Sequence, residues 1–299
     1  MPRIAYVNGR YLPMSEASVN IEDRGYQFAD GIYEVLAVAG GRFLDEALHM
    51  ARLWRSLDAL DIAAPMGGAA LRLVLREVVR RNRVRDGLLY LQVTRGVARR
   101  EHAFPQASRR PGRHAGSRPV APALVVTCRG LAPPSGDVAA WAAAAITAPD
   151  ERWARCDIKS IALLPNVLAK ERARRAGAVE AILIDRDGLV SEGASTTVWV
   201  VDSAGTLRTR PLGHAILPGC TRAALVAELE AAGIGFEERA VGEAELHAAR
   251  EVFVTSATSW VRPITRLDGA AVGDGAAGPV ARRLSALLRD PARAGSKQG

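Results

Sequence analysis

Residues 152–170 read RWARCDIKSIALLPNVLAK. This stretch holds Lys159 and Lys170, two of only three lysines in a chain with 40 basic residues. The third, Lys297, sits in the polar string ARAGSKQG, and residues 291–299 are expected to form a disordered tail. Arginine replaces lysine freely on solvated faces, but its guanidinium stays protonated and cannot form an imine. A lysine retained in such a chain is therefore a candidate for covalent amine chemistry. Lys159 is flanked by Cys156, Ile158 and Ile161, which predicts partial burial, and burial disfavours an ammonium group. On the residues alone, a structural lysine paired with an acid such as Asp157 is the plainer reading.

Outward from this stretch, the apolar residues switch repeatedly between the strand and helix repeats. Strands are predicted at 4–7 and 11–13 around an Asn8-Gly9 turn, and at 33–38, 89–93 and 123–128. Met50, Leu53, Trp54, Leu57 and Leu60 recur at helical spacing, as do Leu71, Val74, Leu75, Val78 and Val79. Further strands are predicted at 140–147, 181–185, 196–201 and 252–255, with helices over 165–176, 220–232 and 278–288. Lys170 falls on the first of these helices. The stretch 106–119 is too rich in Pro, Gly and Arg for a regular element, and LAPPSG (131–136) has the composition of a linker. The expectation is a mixed α/β (α+β) fold in two domains. These are a smaller N-terminal domain (1–130) and a larger C-terminal domain (137–290), joined by the 131–136 linker.

With 48% apolar and 24% charged residues in 299, the composition is that of an ordinary globular protein. No apolar run reaches membrane-spanning length, and the start MPRIAYVNGRYLP has no secretory h-region, so a cytoplasmic protein is expected. Cys128, Cys156 and Cys220 stand at no metal-ligand spacing and are expected to be free thiols, with no metal site. The net charge of +8 raises the possibility of a nucleic-acid partner. No basic stripe with interleaved aromatics supports one, and the arginine excess accompanies an equally marked alanine excess.

Four other stretches carry chemistry. ILPGCTR (216–222) is a turn entering a helix. The first amides of that helix, with the Thr221 hydroxyl, would form a phosphate cup, although a plain capped helix start reads the same way. TSATS (255–259) offers a second cluster of hydroxyls, or a polar loop. Glu192 in SEGASTTVW follows an Asp187-Gly188 turn. A buried carboxylate there would keep a pyridine nitrogen protonated, whereas an exposed one would be only a turn residue. Arg100 and His102 lie two apart, so in an extended segment they point the same way and suit a carboxylate; a solvated basic run is the plainer reading.

Taken together and in order, these segments resemble the class IV aminotransferases, the fold-type-IV pyridoxal-phosphate enzymes. The pattern is most similar to that of the bacterial D-amino acid branch. The carrying segments also include EDRGYQFADGIYEV (22–35), HMARLWRS (49–56), LQVTRGVARREHAFP (91–105) and EVFVTSATSWVRPI (251–264). The resemblance implies a two-domain fold, pyridoxal 5'-phosphate as cofactor, and a homodimer. It implies ping-pong transfer of an amino group between a D-amino acid and a 2-oxo acid. Lys159 resembles the Schiff-base lysine and Glu192 the partner of the pyridine nitrogen. Arg52, Cys220, Thr221, Ser256 and Ala257 resemble the phosphate site, with Leu217 packing under the ring. Tyr33, Arg100 and His102 resemble the substrate-carboxylate trap, the last two reaching in from the partner subunit. The arginine-X-histidine pair separates this branch from branched-chain aminotransferases, (R)-amine transaminases and aminodeoxychorismate lyases of the same fold.

The chain departs from the pattern in three places. Ala257 stands where a hydroxyl residue is usual, removing a hydrogen bond to phosphate of about 1.5–3 kcal/mol. Trp260 stands where a small or acidic residue is common and is expected to narrow or line the pocket. The arginine-rich stretch 106–119 is longer than in the family, which would place positive charge near the trap and favour dicarboxylic substrates.

Overall fold

The computed structural model describes residues 3–105, 120–132, 136–231 and 234–289. The 106–119 stretch, half of the expected linker (133–135) and the expected tail lie outside these residues. The chain divides into two units, Met1–Pro133 with Ile158–Ala162, and Pro134–Asp157 with Leu163–Gly299.

The first unit contains β1 (Ile4–Val7), β2 (Arg10–Pro13), α1 (Arg24–Phe28), β3 (Gly31–Ala39), β4 (Arg42–Phe43), α2 (Glu46–Ala59), α3 (Gly68–Arg81), β5 (Gly87–Thr94) and β6 (Ala123–Gly130). The strands form one antiparallel sheet in the order β2-β1-β6-β5-β3-β4. Asn8 and Gly9 both have positive φ, as the tight β1–β2 hairpin requires. The apolar faces of α2 (Met50, Leu53, Leu57) and α3 (Leu71, Leu75, Val78) join Leu36, Leu89, Leu91 and Val126 of the sheet in one core. Helical spacing thus identified the buried face correctly.

β4 pairs with the far end of β3, which leaves the near end open along one edge. Residues 158–162 take that edge. Ile32 bridges Ser160, the Tyr33 amide donates to the Lys159 carbonyl (3.0 Å), and the Ile161 amide donates to the Gly31 carbonyl (3.1 Å). This pairing, together with Ile158 in the core, explains why five residues from the middle of the chain belong to the first unit.

The second unit contains β7 (Ala143–Pro149), α4 (Leu164–Arg175), β8 (Glu180–Ile184), β9 (Val190–Gly193), β10 (Thr197–Val201), β11 (Leu207–Thr209), α5 (Cys220–Ala231), β12 (Phe236–Glu238), α6 (Glu243–His247), β13 (Glu251–Ser256), β14 (Trp260–Leu267), β15 (Ala270–Ala271) and α7 (Pro279–Arg289). Its sheet runs β12-β11-β10-β13-β14-β7-β8-β9, with β15 on β14. The pairs β11–β12, β14–β7 and β7–β8 are parallel and the rest antiparallel. A strand was expected from residue 140, but Val138–Trp141 is a 3-10 turn and β7 starts at Ala143. The Asp137 carboxylate accepts from the Ala139 amide (3.1 Å), starting the turn where the apolar pattern reads as strand.

Candidate active site

On β3 consecutive side chains point to opposite faces. Tyr33 lies on one face, half-buried, with Lys159 Nζ 4.3 Å from its ring centroid and the Tyr90 ring stacked at 5.8 Å. Burial pushes the Tyr90 phenol up to about 12, with Tyr33 adding to the effect, so it stays neutral and donates to Gln92 Oε1 (2.7 Å). The structure thus brings two residues from the predicted set together, and Lys159 pairs with no acid among the described residues. The other lysine differs. Lys170 Nζ binds the Val179 carbonyl (2.8 Å) and the buried Glu180 carboxylate (2.9 Å), a structural role.

On the opposite face, Glu34 is fully buried and clasps Arg52. Arg52 Nε and Nη2 donate to its two oxygens, each at 2.7 Å, and His49 Nδ1 lies 2.8 Å from Oε2. Burial alone would raise the Glu34 carboxyl. The Arg52 charge and the hydrogen bonds from Arg52 and His49 outweigh it and hold the group at about 2. Arg52 and His49 are one helical turn apart on α2, which lets both reach the same carboxylate. Neither Glu34 nor His49 was singled out in the sequence; the i, i+3 spacing opposite a buried strand glutamate was the available signal.

Arg100 and His102 follow the end of β5 in a segment without regular structure and are exposed. Both meet one ring, that of Phe28. The Arg100 guanidinium carbon lies 4.7 Å from its centroid and the His102 ring 5.4 Å away. Within one chain, no hydrogen bond, ion pair or ring contact among the described residues joins this pair to Tyr33 or Lys159.

In the second unit Glu192 lies on β9, buried. Arg152 Nη1 donates to Glu192 Oε2 at 2.5 Å, while Nη2 donates to Asp150 (2.8 Å) and to the Ala215 carbonyl (3.0 Å). The Ser191 hydroxyl donates to the same Asp150 carboxylate (2.6 Å). Burial would lower the Arg152 guanidinium, but the Asp150 hydrogen bond and the Glu192 charge raise it above its ordinary value. Arg152 was not singled out in the sequence.

Cys220 is the first residue of α5, and the first bond of the helix runs from the Ala223 amide to the Gly219 carbonyl (2.9 Å). The amides of 220–222 precede it, at the positive end of the helix dipole. Arg222 anchors this turn, donating to Glu238 at 2.5 Å. Leu217 and Thr221 are half-buried and Cys220 is buried. A Cβ on Gly219 would lie 3.0 Å from the Thr197 hydroxyl, tighter than ordinary contact, so glycine suits this close approach. Ser256 closes β13, and its hydroxyl accepts from the Thr258 (3.3 Å) and Ser259 (3.0 Å) amides, organising the turn that carries Ala257. Trp260 has φ of +53° and, half-buried, packs against the cluster of Trp199 and Phe253.

Residues 31–267 match the family model for amino-transferase class IV. The chain belongs to the class IV aminotransferases. This aminotransferase is 42% identical to a D-alanine aminotransferase of Bacillus licheniformis over 95% of each chain. It is 38% identical to a D-alanine aminotransferase of Staphylococcus haemolyticus, over 93% of this chain and 94% of that one. Among solved structures it is similar to the branched-chain aminotransferase of the archaeon Thermoproteus uzoniensis with norvaline (TM-score 0.80, 22% identity, 99% of this chain and 97% of that one). It is also similar to the PLP-bound form of a hypothetical aminotransferase from Mycobacterium tuberculosis (TM-score 0.77, 22% identity, 95% and 97%). These structures establish the fold of the aminotransferase as fold type IV.

Pyridoxal phosphate, the cofactor of class IV aminotransferases, fits the groups this chain offers. They are a primary amine beside an aromatic ring, a carboxylate paired with a buried arginine, and a helix start with a glycine approach and a hydroxyl. The charge of phosphate suits the last of these. Among the described residues no cluster of His, Cys, Asp or Glu could hold a metal ion, and no helix is long and apolar enough to cross a membrane.

Proposed function

We propose that the chain transfers amino groups between a D-amino acid, of the D-alanine or D-glutamate type, and a 2-oxo acid. The observation that carries this is the Arg100–His102 pair on one ring, on a chain 42% identical to a D-alanine aminotransferase. Bound pyridoxal phosphate supplies an aldehyde that carries the amino group and a ring that takes up the electron pair released at the α-carbon. Lys159 would hold the cofactor through its amine and would be the base that takes up and returns the substrate α-proton. Glu192, held by Arg152, keeps the pyridine nitrogen protonated. Arg52 would be a phosphate ligand, as would the amides at 220 and 221, the Thr221 hydroxyl and the 256–257 turn, and Leu217 would contact the cofactor. Tyr33, Arg100 and His102 hold the substrate carboxylate and thereby fix its handedness.

The enzyme is a homodimer in this reading, with Arg100 and His102 serving the partner's substrate; their exposure in one chain supports it. It works in the cytoplasm, in keeping with three buried cysteines that are all free thiols.

The test is an absorption spectrum of the purified protein before and after D-alanine, with L-alanine as control. In a separate sample without amino acid, borohydride is used to reduce and so trap the bond between the cofactor and Lys159. Bleaching by D-alanine alone, and label on Lys159, is the expected result. Turnover of L-leucine with 2-oxoglutarate and none of D-alanine would move the chain to the branched-chain reading.

A further inference from the structure

The segment EDRGYQFADG (22–31) has no part in the roles assigned so far, yet its side chains form a connected structure under Arg100 and His102. Asp23 caps α1 by accepting from the Gly25 amide (2.8 Å), and its other oxygen accepts from the Thr94 hydroxyl (3.0 Å). Gly25 is needed for this close fit, because a Cβ there would lie 2.2 Å from the Thr94 methyl carbon. Ala29 closes the helix with φ of +55°, turning the chain so that Asp30 faces back toward Arg24. Asp30 then binds two buried arginines. Arg24 Nε donates at 2.7 Å, and Arg95 donates through Nε at 2.8 Å and Nη2 at 3.0 Å.

Arg24 spends its remaining donors on the segment that carries the pair. Nη1 donates to the Glu101 carbonyl (2.6 Å) and Nη2 reaches the His102 carbonyl (3.4 Å). The same guanidinium lies 4.8 Å from the Phe28 ring centroid. Phe28 therefore meets Arg24, Arg100 and His102 at once. Arg95 holds the other end of the segment, with its guanidinium 3.6 Å from the Phe104 centroid and donors on the Leu60 and Asp61 carbonyls. An exposed arginine with no such support would sample many rotamers and lose that entropy on binding.

We propose that Phe28, with Arg24 tied to Asp30, is a pedestal that positions Arg100 and His102 for the substrate carboxylate. Phe28 is a positioning and specificity-determining residue of the reaction. The inference rests on the trap reading of Arg100 and His102, and goes beyond it by saying what holds the trap in shape. The pedestal gathers a guanidinium and an imidazole at one aromatic ring, so it favours substrates bearing a carboxylate next to the reacting amine.

Arg24 and Asp30 form a buried ion pair whose loss risks the fold, so the test is made on the holoenzyme with Phe28→Leu, Phe28→Tyr and Arg100→Leu. For Phe28→Leu, KM for D-alanine is expected to rise about three- to tenfold, the scale of a cation–ring contact. kcat should change less than about twofold, and the cofactor spectrum and cofactor dissociation constant should stay unchanged. Phe28→Tyr, which keeps the ring, restores the wild-type KM. A purely structural role would instead move kcat, cofactor affinity and thermal stability together. An increase in KM for Arg100→Leu with none for Phe28→Leu overturns the pedestal and leaves the trap reading intact. An unchanged KM in both variants overturns the trap reading, and the pedestal with it.

Discussion

Arg152 and Glu192 form a buried ion pair with Nη1 and Oε2 2.5 Å apart, both side chains less than one-tenth exposed. The same arginine spans Asp150 and the Ala215 carbonyl, so one side chain orients the carboxylate assigned to the pyridine nitrogen and ties three segments of its unit. Losing one partner of such a pair leaves an uncompensated buried charge, at a cost of about 3–5 kcal/mol. Arg152→Gln is therefore expected to lower the unfolding temperature and to shift the absorption band of the bound cofactor. Arg152→Lys, which keeps the charge but not the fork, falls between. Thermal unfolding and absorption spectra of both variants check this, and a wild-type spectrum in Arg152→Gln would disconnect Arg152 from Glu192 function.

Glu34 predicts an acid limb to stability. Its carboxyl is lowered from 4.5 to about 2 in the fold by Arg52 and His49, against the opposing effect of burial. A depressed folded value gives stability that is fully present above the unfolded value and is lost as pH falls from about 4.5 towards 2. The shift corresponds to roughly 3 kcal/mol. Denaturant unfolding at pH 6 and at lower pH should show Glu34→Gln less stable at the higher value and losing less on acidification. Parallel pH profiles for the two proteins would refute the assignment.

The two central lysines are expected to separate cleanly. Lys159→Ala should lose at least about 10²–10⁴-fold in transamination and any borohydride-trapped label. Lys170→Met removes a half-exposed partner of Glu180, costing about 1–2 kcal/mol of stability. It should keep both activity and label. Peptide mapping of the reduced protein reads this directly, and label on Lys170 would reverse the roles.

Thr221→Ala removes one hydroxyl from the start of α5. A lost hydrogen bond to a charged group is worth about 1.5–3 kcal/mol, so cofactor binding should weaken about tenfold or more. Equilibrium titration of the apoenzyme with pyridoxal phosphate measures it. Ala257→Ser is expected to move the same constant the other way, since it adds a hydroxyl to the turn beside Ser256.

Much of this was legible in the chain. The spacing of Met50, Leu53 and Leu57 identified the buried face of α2, and Asn8-Gly9 set the first hairpin, because both depend on local periodicity or backbone preference. The scarcity of lysine reduced the covalent candidates to Lys159 and Lys170. The turn at 138–141 was missed because one capping carboxylate outweighed an apolar pattern. The helix α1 was missed because five residues are too few to show a period.

What the sequence determined by itself was many of the longer elements, the family and the residue types of the chemistry. These follow from local repeats and from the order of short motifs. Only the tertiary structure decided how those groups are held: Glu34 against Arg52, Arg152 against Glu192, and Phe28 beneath Arg100 and His102. Each joins residues far apart in the chain, and an ion pair or ring contact depends on distance in space, which no local pattern encodes.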